Sequence, residues 1–148
     1  MKTLKAALVQ QQMKADYRTN VDYSLEQIKK AANDQADLVV LCELHSNLYF
    51  CQEESEQYFD LAQTILGPLT QELSEAAKNN NIIIVATLFE KLAEGAHHNT
   101  AVVFEKDGSL AGTYRKMHLP NDPGYYEKYY FTQGDQGFIP IDLSLIHI

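Results

Sequence analysis

The sequence predicts an α/β fold, in which strands alternate with helices. Short apolar segments bounded by turn-forming residues alternate with longer segments whose apolar residues recur every three or four positions. A strand–helix–strand order of this size is typical of a βαβ unit with two parallel strands. Later in the chain, two strand-like segments flank a short turn containing glycine, which predicts an antiparallel hairpin.

The first βαβ unit occupies the N-terminal third of the chain. Leu4–Gln10 is short and apolar and is predicted to be a buried strand. Apolar residues at offsets 0, 4, 7 and 11 from Val21 form one face of a helix, which Thr19 or Asn20 can cap. Leu38–Cys42 is apolar throughout, as a central strand between two layers must be.

The middle of the chain continues this alternation. Ser55–Ile65 has helical character, and Gly67-Pro68 interrupts it. Proline suits the first turn of a new helix because its missing N–H would be unpaired there. We expect that second helix to end at residues 79–81 and Ile82–Leu88 to form the next strand.

The predicted hairpin joins Asn99–Glu105 to Leu110–Tyr114, with Gly108 supplying a positive φ angle in its turn. Residues 120–140 are rich in proline, glycine and tyrosine and are predicted to form a long ordered loop with a short helical turn near residues 125–130. We expect the helices to cover one face of the sheet.

Composition excludes several classes of protein. The 148 residues are 45% hydrophobic and 22% charged, which is typical of a globular domain. A net charge of -8 argues against general nucleic-acid binding. No apolar run approaches the roughly 18 residues of a membrane span, and the N-terminus does not resemble a secretory signal. Two cysteines are too few for a disulfide framework, so we expect a cytoplasmic protein.

Two charged residues lie just beyond the ends of predicted strands. Glu43 comes after Leu38–Cys42, at a strand end where α/β folds bind ligands, and could act as a general base. Lys116 follows Leu110–Tyr114 and could stabilise an oxyanion. The alternatives remain open: Glu43 could cap a helix or lie in an exposed loop, and lysines are most often solvated surface charges.

Other polar residues give weaker signals. The histidines and cysteines lack the spacing of a metal site, and His97 and His98 would point to opposite faces of a strand, so we expect no metal. We expect His118 to orient a neighbour or contact substrate. The aromatic run Tyr125–Phe131 encloses Glu127 and suits a cationic or amide ligand, although a packed aromatic plug is the alternative.

Five segments together resemble the nitrilase superfamily of carbon-nitrogen hydrolases, and within it the N-carbamoylputrescine amidohydrolases. The segments are Leu41–His45, Leu48–Gln52, His98–Ala101, Tyr114–Pro120 and Asp122–Lys128. The resemblance implies hydrolysis of N-carbamoylputrescine to putrescine, carbon dioxide and ammonia, without a cofactor. It also implies a four-layer α-β-β-α sandwich, which full-length members assemble into homo-oligomers.

The resemblance also implies residue roles. Glu43 would be the general base, Lys116 the oxyanion-stabilising cation and Glu127 a second glutamate of a Glu-Lys-Cys mechanism. We predict that His118, Asp122, Tyr125 and Tyr126 contact this small-molecule substrate.

The chain departs from the superfamily pattern in length and in its cysteines. Members are roughly twice as long, and neither Cys42 nor Cys51 matches their nucleophile. We therefore expect residues 1–142 to be the N-terminal part of a carbon-nitrogen hydrolase domain and residues 143–148 to be a tail foreign to the family. By itself such a half would be inactive, and its bare apolar surface would favour aggregation. Other carbamoyl-amine or omega-amide substrates, or an inactive fragment, are the alternatives.

Overall fold

The computed structural model describes residues 3–145, and within them it contains one sheet and four helical segments. The strands are β1 Ala6–Leu8, β2 Leu38–Val40, β3 Ile83–Ala93, β4 Ala96–Phe104 and β5 Leu110–Arg115. The α-helices are α1 Tyr17–Asn33, α2 Pro68–Asn80 and α3 Glu127–Tyr130, and Glu56–Leu61 forms a 3₁₀ helix. The predicted α/β class is confirmed.

The five strands lie in the sheet in chain order. β1, β2 and β3 are parallel, as predicted for consecutive βαβ units, while β4 is antiparallel to both β3 and β5. Two antiparallel steps restore the direction of the chain, so β5 runs the same way as β2. The carboxyl ends of β2 and β5 therefore lie at the same edge of the sheet.

The N-terminal cap of α1 differs from the prediction. Asp16 is the cap, and its carboxylate accepts a hydrogen bond of 2.7 Å from the Thr19 backbone N–H. The prediction of Thr19 or Asn20 was wrong because both lie inside the first turn. The Asn20 side chain is buried and donates instead to the carbonyls of Lys14 and Ser46.

The segment before α2 also differs in part from the prediction. The helix predicted over Ser55–Ile65 is a 3₁₀ helix confined to Glu56–Leu61. The following helix is confirmed, with Pro68 in its first turn and Asn81 ending it in the left-handed conformation at φ 50°.

The main core lies between the two long helices and one face of the sheet. Val21 and Ile28 of α1 and Leu69 and Leu73 of α2 are at most 1% exposed. They pack against alternate residues of the strands and of the positions next to them, which are Val39, Leu41, Ile82, Ile84, Ala86, Leu88, Val102 and Phe104. This arrangement agrees with the expected coverage of one sheet face by helices.

The structure adds a hairpin between β3 and β4 to the one predicted, because both strands are longer than predicted. β3 continues to Ala93 and β4 begins at Ala96, with Gly95 in the turn at φ 73°. The predicted β4–β5 turn is confirmed, with Gly108 at φ 86°. A Cβ on Gly108 would lie 2.7 Å from the Ser74 carbonyl oxygen, so glycine also permits the close approach of this turn to α2.

Several large apolar side chains are exposed. Leu8, Leu66, Phe138 and Ile139 are each at least 73% exposed. The expected tail at residues 143–148 lies partly outside the description, which stops at residue 145, and remains a prediction. None of the helices described here is long and apolar enough to cross a membrane.

Candidate active site

Three charged side chains from separate parts of the chain meet at one edge of the sheet. Lys116 Nζ lies 3.0 Å from Glu43 Oε1 and 2.8 Å from Glu127 Oε2. It also donates a hydrogen bond of 3.1 Å to Glu127 Oε1. The two residues that follow predicted strands are thus brought into direct contact, and the glutamate of the aromatic run joins them.

The loop after β2 carries Glu43 across the sheet edge towards β4. Leu44 has φ 50°, a left-handed conformation that bulky side chains rarely adopt. Its backbone N–H donates a hydrogen bond of 2.6 Å to Thr87 Oγ1 on β3. The surrounding structure therefore holds Glu43 in a strained turn, a feature concentrated at functional sites.

Lys116 is fixed by backbone hydrogen bonds on both sides. Its N–H donates to the Asn99 carbonyl at 2.9 Å, and its own carbonyl accepts from the Gly134 N–H at 3.0 Å. A Cβ at position 134 would lie 2.0 Å from the Arg115 carbonyl oxygen, so only glycine fits there. Residues after α3 thus lock the lysine in place from outside the sheet.

Glu127 is the buried carboxylate of the site, with a side chain 4% exposed. The Tyr49 hydroxyl donates a hydrogen bond of 3.1 Å to its Oε1. Burial, followed by the negative charge of Glu127, raises the pKa of Tyr49. The phenol therefore stays protonated and serves as a donor to the carboxylate.

The charge state of Lys116 depends on its two carboxylates. Burial alone would lower the pKa of the ammonium, but the hydrogen bonds to Glu127 and Glu43 outweigh burial and raise the pKa above its ordinary value. Lys116 is therefore a cation at neutral pH, as an oxyanion-stabilising group must be.

A second ionic network lies behind Lys116. The Arg115 guanidinium donates two hydrogen bonds to Glu90, from Nη2 at 2.6 Å and Nε at 2.9 Å, and a third from Nη1 to Asp135 at 3.0 Å. Thr100 Oγ1 donates to Glu90 Oε2 at 2.5 Å. Burial alone would raise the pKa of Glu90, but the hydrogen bonds from Arg115 and Thr100 lower it.

The residues predicted to contact substrate occupy different positions. His118 and Asp122 are exposed, and the Asp122 carbonyl accepts from the Tyr125 N–H in a turn. The exposed Tyr125 ring lies 5.9 Å from that of Tyr49, beside the charged cluster. Tyr126 is half-buried, and its N–H donates to the Cys51 carbonyl.

Part of the aromatic run is packed into the interior, which agrees with the alternative interpretation of this run. Tyr130 and Phe131 are at most 4% exposed and pack with Phe50 and Phe89. These rings support the short helix α3, and so they fix the position of Glu127 at its first residue.

Both cysteines lie in surroundings that restrict their thiols. Cys51 is fully buried, and burial together with the charge of Glu127 raises the pKa of its thiol to about 12. Cys42 is half-buried, and its thiol donates to the Val9 carbonyl. Since thiolates rather than thiols attack carbonyl carbon, the raised pKa of Cys51 disfavours its use as a nucleophile.

His97 and His98 make contacts that stabilise the fold. His97 packs against the rings of Phe59 and Phe89, and His98 Nδ1 lies 3.0 Å from the Thr132 carbonyl oxygen. Residues 3–145 contain no cluster of three or more potential metal ligands among histidine, cysteine, aspartate and glutamate.

Two contacts of the site were missed in the sequence. Asn99 Nδ2 donates a hydrogen bond of 2.6 Å to Glu43 Oε1, and Tyr49 binds Glu127 as described above. Both residues lie in segments that carry the family resemblance. Those segments were the available signal, but the sequence alone assigned no role to either side chain.

Acidification is expected to destabilise the loop that carries Glu43. His45 is fully buried, and burial lowers its pKa to about 4 from 6.5. Between these values the unfolded state binds more protons, so stability is fully present above pH 6.5 and falls as the pH drops. The loss is about 2 kcal/mol by about pH 5.

Urea denaturation at a series of pH values measures this loss. A His45→Gln variant should lose less stability than the parent over the same pH range. Some acid response should remain in that variant, because burial also lowers the pKa of His97. The matched control is His118→Gln, which replaces an exposed histidine and should retain the parental response. An equal acid response in His45→Gln and the parent would contradict the prediction.

Comparisons with known proteins agree on one family. The carbon-nitrogen hydrolase family model matches residues 5–148. The N-carbamoylputrescine amidase of Solanum tuberosum is 37% identical over 124 residues, which are 83% of this chain and 41% of the relative. The citrullinase of Francisella tularensis is 37% identical over 139 residues, 93% of this chain and 48% of the relative. The omega-amidase of Mus musculus is 34% identical over 120 residues, with coverages of 80% and 42%.

Solved structures show the same similarity. A carbon-nitrogen hydrolase from Helicobacter pylori G27 superimposes with a TM-score of 0.91 at 43% identity, over 95% of this chain and 48% of that one. An amidase from Nesterenkonia sp. shares the fold, with a TM-score of 0.71 at 23% identity over 90% and 49% of the two chains. The chain thus spans about half of the length of these proteins and corresponds to half of the nitrilase-like sandwich.

Proposed function

The chain belongs to the carbon-nitrogen hydrolase family, and on that premise we propose that it supplies the acid–base groups of an amide hydrolase acting on N-carbamoylputrescine. The contact of Lys116 with Glu43 and Glu127 supports this proposal most strongly. An ammonium between two carboxylates, one half-exposed and one buried, suits proton transfer beside a developing oxyanion.

The three side chains have distinct proposed roles. Glu43, whose side chain is 49% exposed, is the general base because its carboxylate is accessible to a nucleophile and to water. Lys116 stabilises the negative charge that develops on the substrate oxygen. Glu127, buried and bound by Tyr49, holds the ammonium in position and helps to position the nucleophile.

The reaction proceeds through a covalent intermediate. Glu43 accepts the thiol proton while sulfur bonds to the carbonyl carbon, and the carbonyl electron pair moves to the oxygen beside Lys116. Collapse of this adduct expels one nitrogen, which takes the proton from Glu43. Glu43 then deprotonates a water, whose oxygen bonds to the same carbon. As the carbon–sulfur bond breaks, the leaving sulfur takes the proton back from Glu43. With loss of carbon dioxide, N-carbamoylputrescine and one water give putrescine, ammonia and carbon dioxide.

We propose that the nucleophilic cysteine comes from outside these 148 residues. Cys51 is fully buried with a raised pKa, and Cys42 donates to a carbonyl near β1. Residues 1–142 then represent part of the catalytic domain, and the purified 148-residue chain is inactive. The complete protein is proposed to be a cytoplasmic homo-oligomer that uses no cofactor.

The proposed substrate class is an alkyl amine that carries a terminal ureido group. N-carbamoylputrescine and citrulline share that group, and proteins named for acting on them are both 37% identical to this chain. The two compounds differ at the other end, where citrulline has an α-carboxylate. The exposed Asp122 carboxylate, in the loop next to α3, favours the carboxylate-free amine.

Ammonia release from a panel of substrates tests the proposal. The full-length natural protein that contains these residues should hydrolyse N-carbamoylputrescine with a kcat/KM at least about tenfold above citrulline or an omega-amide. A higher kcat/KM for citrulline or the omega-amide would overturn the substrate assignment but not the family chemistry. No ammonia from any of the three would overturn the proposed function.

A further inference from the structure

Asn99 contacts both members of the proposed base–cation pair. It lies on β4 between the strands β3 and β5 and is 4% exposed. Its side-chain Nδ2 donates to Glu43 Oε1 at 2.6 Å, and its backbone carbonyl accepts from the Lys116 N–H at 2.9 Å. One buried residue thus connects the loop after β2 to the end of β5.

The two donors to Glu43 share one oxygen. Asn99 Nδ2 and Lys116 Nζ both donate to Oε1, while Oε2 accepts no hydrogen bond from any residue in the range 3–145. The Glu43 side chain is 49% exposed, so Oε2 remains accessible. Since both donors are bound to Oε1, the exposed Oε2 is the oxygen left open to accept a proton.

We propose that Asn99 is a positioning residue, which sets the separation of Glu43 and Lys116 and directs proton transfer to Glu43 Oε2. This inference rests on the proposed function, in which Glu43 is the general base. The side chain must be a neutral donor here. An aspartate of the same shape would place a second carboxylate beside Glu43. An alanine would leave Lys116 as the one side chain among residues 3–145 that binds the Glu43 carboxylate.

The kinetic test compares three variants of the full-length natural protein with the parent on N-carbamoylputrescine. Asn99→Ala should lower kcat about 30-fold and leave KM within about twofold, the effect of losing one hydrogen bond to a charged group. Asn99→Asp should also move the acid limb of the kcat–pH profile upward by about one pH unit, because neighbouring carboxylates retain a shared proton.

Asn47→Ala is the matched control. Asn47 is also buried, at 8% exposure, and its amide donates to Ser46 Oγ rather than to a charged site residue. Its replacement should leave the shape of the kcat–pH profile unchanged. If Asn99 had a merely structural role, Asn99→Ala and Asn99→Asp would both lower the amount of folded enzyme without shifting the kcat–pH profile.

A spectroscopic measurement requires no Asn99 variant and no turnover. In the parent, the Asn99 side-chain amide proton signals should shift as Glu43 titrates, and Glu43→Gln should abolish that response. Asn99 variants with parental kcat and pH profile, or an amide signal indifferent to Glu43, would overturn the inference. Loss of hydrolysis in the parent itself would instead refute the proposed function, while the amide signal would still report the contact.

Discussion

Replacing Glu43 with glutamine is expected to lower kcat on N-carbamoylputrescine by about 10³-fold in the full-length natural protein. Glutamine keeps the shape of the side chain and can still meet Asn99 and Lys116, but it cannot accept the proton of a thiol or a water. Because the substrate does not need this proton transfer in order to bind, KM should change much less than kcat.

Glu54→Gln is the matched control for this loss. Glu54 is exposed and forms no ion pair with any residue that the structure describes, so the same change of charge there should leave kcat at the parental value. Parental kcat in Glu43→Gln would show that Glu43 is not the base. An equal loss in Glu54→Gln would show that net charge, rather than position, is responsible.

Replacing Glu90 with glutamine is expected to lower the free energy of unfolding by about 3–5 kcal/mol. The Glu90 and Arg115 side chains are only 3% and 10% exposed, so loss of the carboxylate leaves a buried guanidinium without its main partner. Urea denaturation measures the change. Because Arg115 directly precedes Lys116, catalysis should weaken with stability.

The second partner of Arg115 provides the control for Glu90→Gln. Asp135 is 62% exposed, and solvent screens its ion pair, so Asp135→Asn should cause only a small part of the loss. Equal losses in the two variants would contradict the assignment of the stability to the buried pair. A Glu90→Leu, Arg115→Met double variant should recover much of the stability, since it removes both buried charges together.

Acid should weaken the same pair. Burial alone would raise the pKa of Glu90, but the hydrogen bonds that Arg115 and Thr100 donate to it lower that pKa in the folded state. The contribution of Glu90 to stability is therefore present above the ordinary glutamate pKa. That contribution is lost as the pH falls through the lowered value. The stability that Glu90 contributes should therefore be lost at lower pH than the stability that depends on His45.

The parts of the site predicted from sequence are those determined by strand ends. Glu43 and Lys116 follow apolar segments that were recognised as strands, and the direction of β5, restored by two antiparallel steps, brings their ends to one edge. Glu127 was found through the aromatic run, whose Tyr130 and Phe131 proved to be core residues. The sequence thus indicated the charged groups but not their distances.

The parts that were missed depend on contacts between distant residues. The strand predicted at Ile82–Leu88 continues to Ala93 because Arg115, 25 residues further on, neutralises Glu90 inside the sheet. Asp16 caps α1 because the turn before the helix, rather than the periodic apolar pattern, determines where the helix begins. The Asn99 contact depends on a loop that crosses β3, which no local pattern encodes.

The central proposal is that this chain supplies the acid–base groups and that a segment outside these 148 residues supplies the nucleophile. It is tested most directly by measuring ammonia release from N-carbamoylputrescine by cysteine variants. The full-length natural protein with Cys42→Ser and Cys51→Ser combined should retain kcat within about threefold of the parent if, as we propose, the nucleophile is a different cysteine. The purified 148-residue chain should release no ammonia. Turnover by that chain, abolished by Cys51→Ser, would contradict the account.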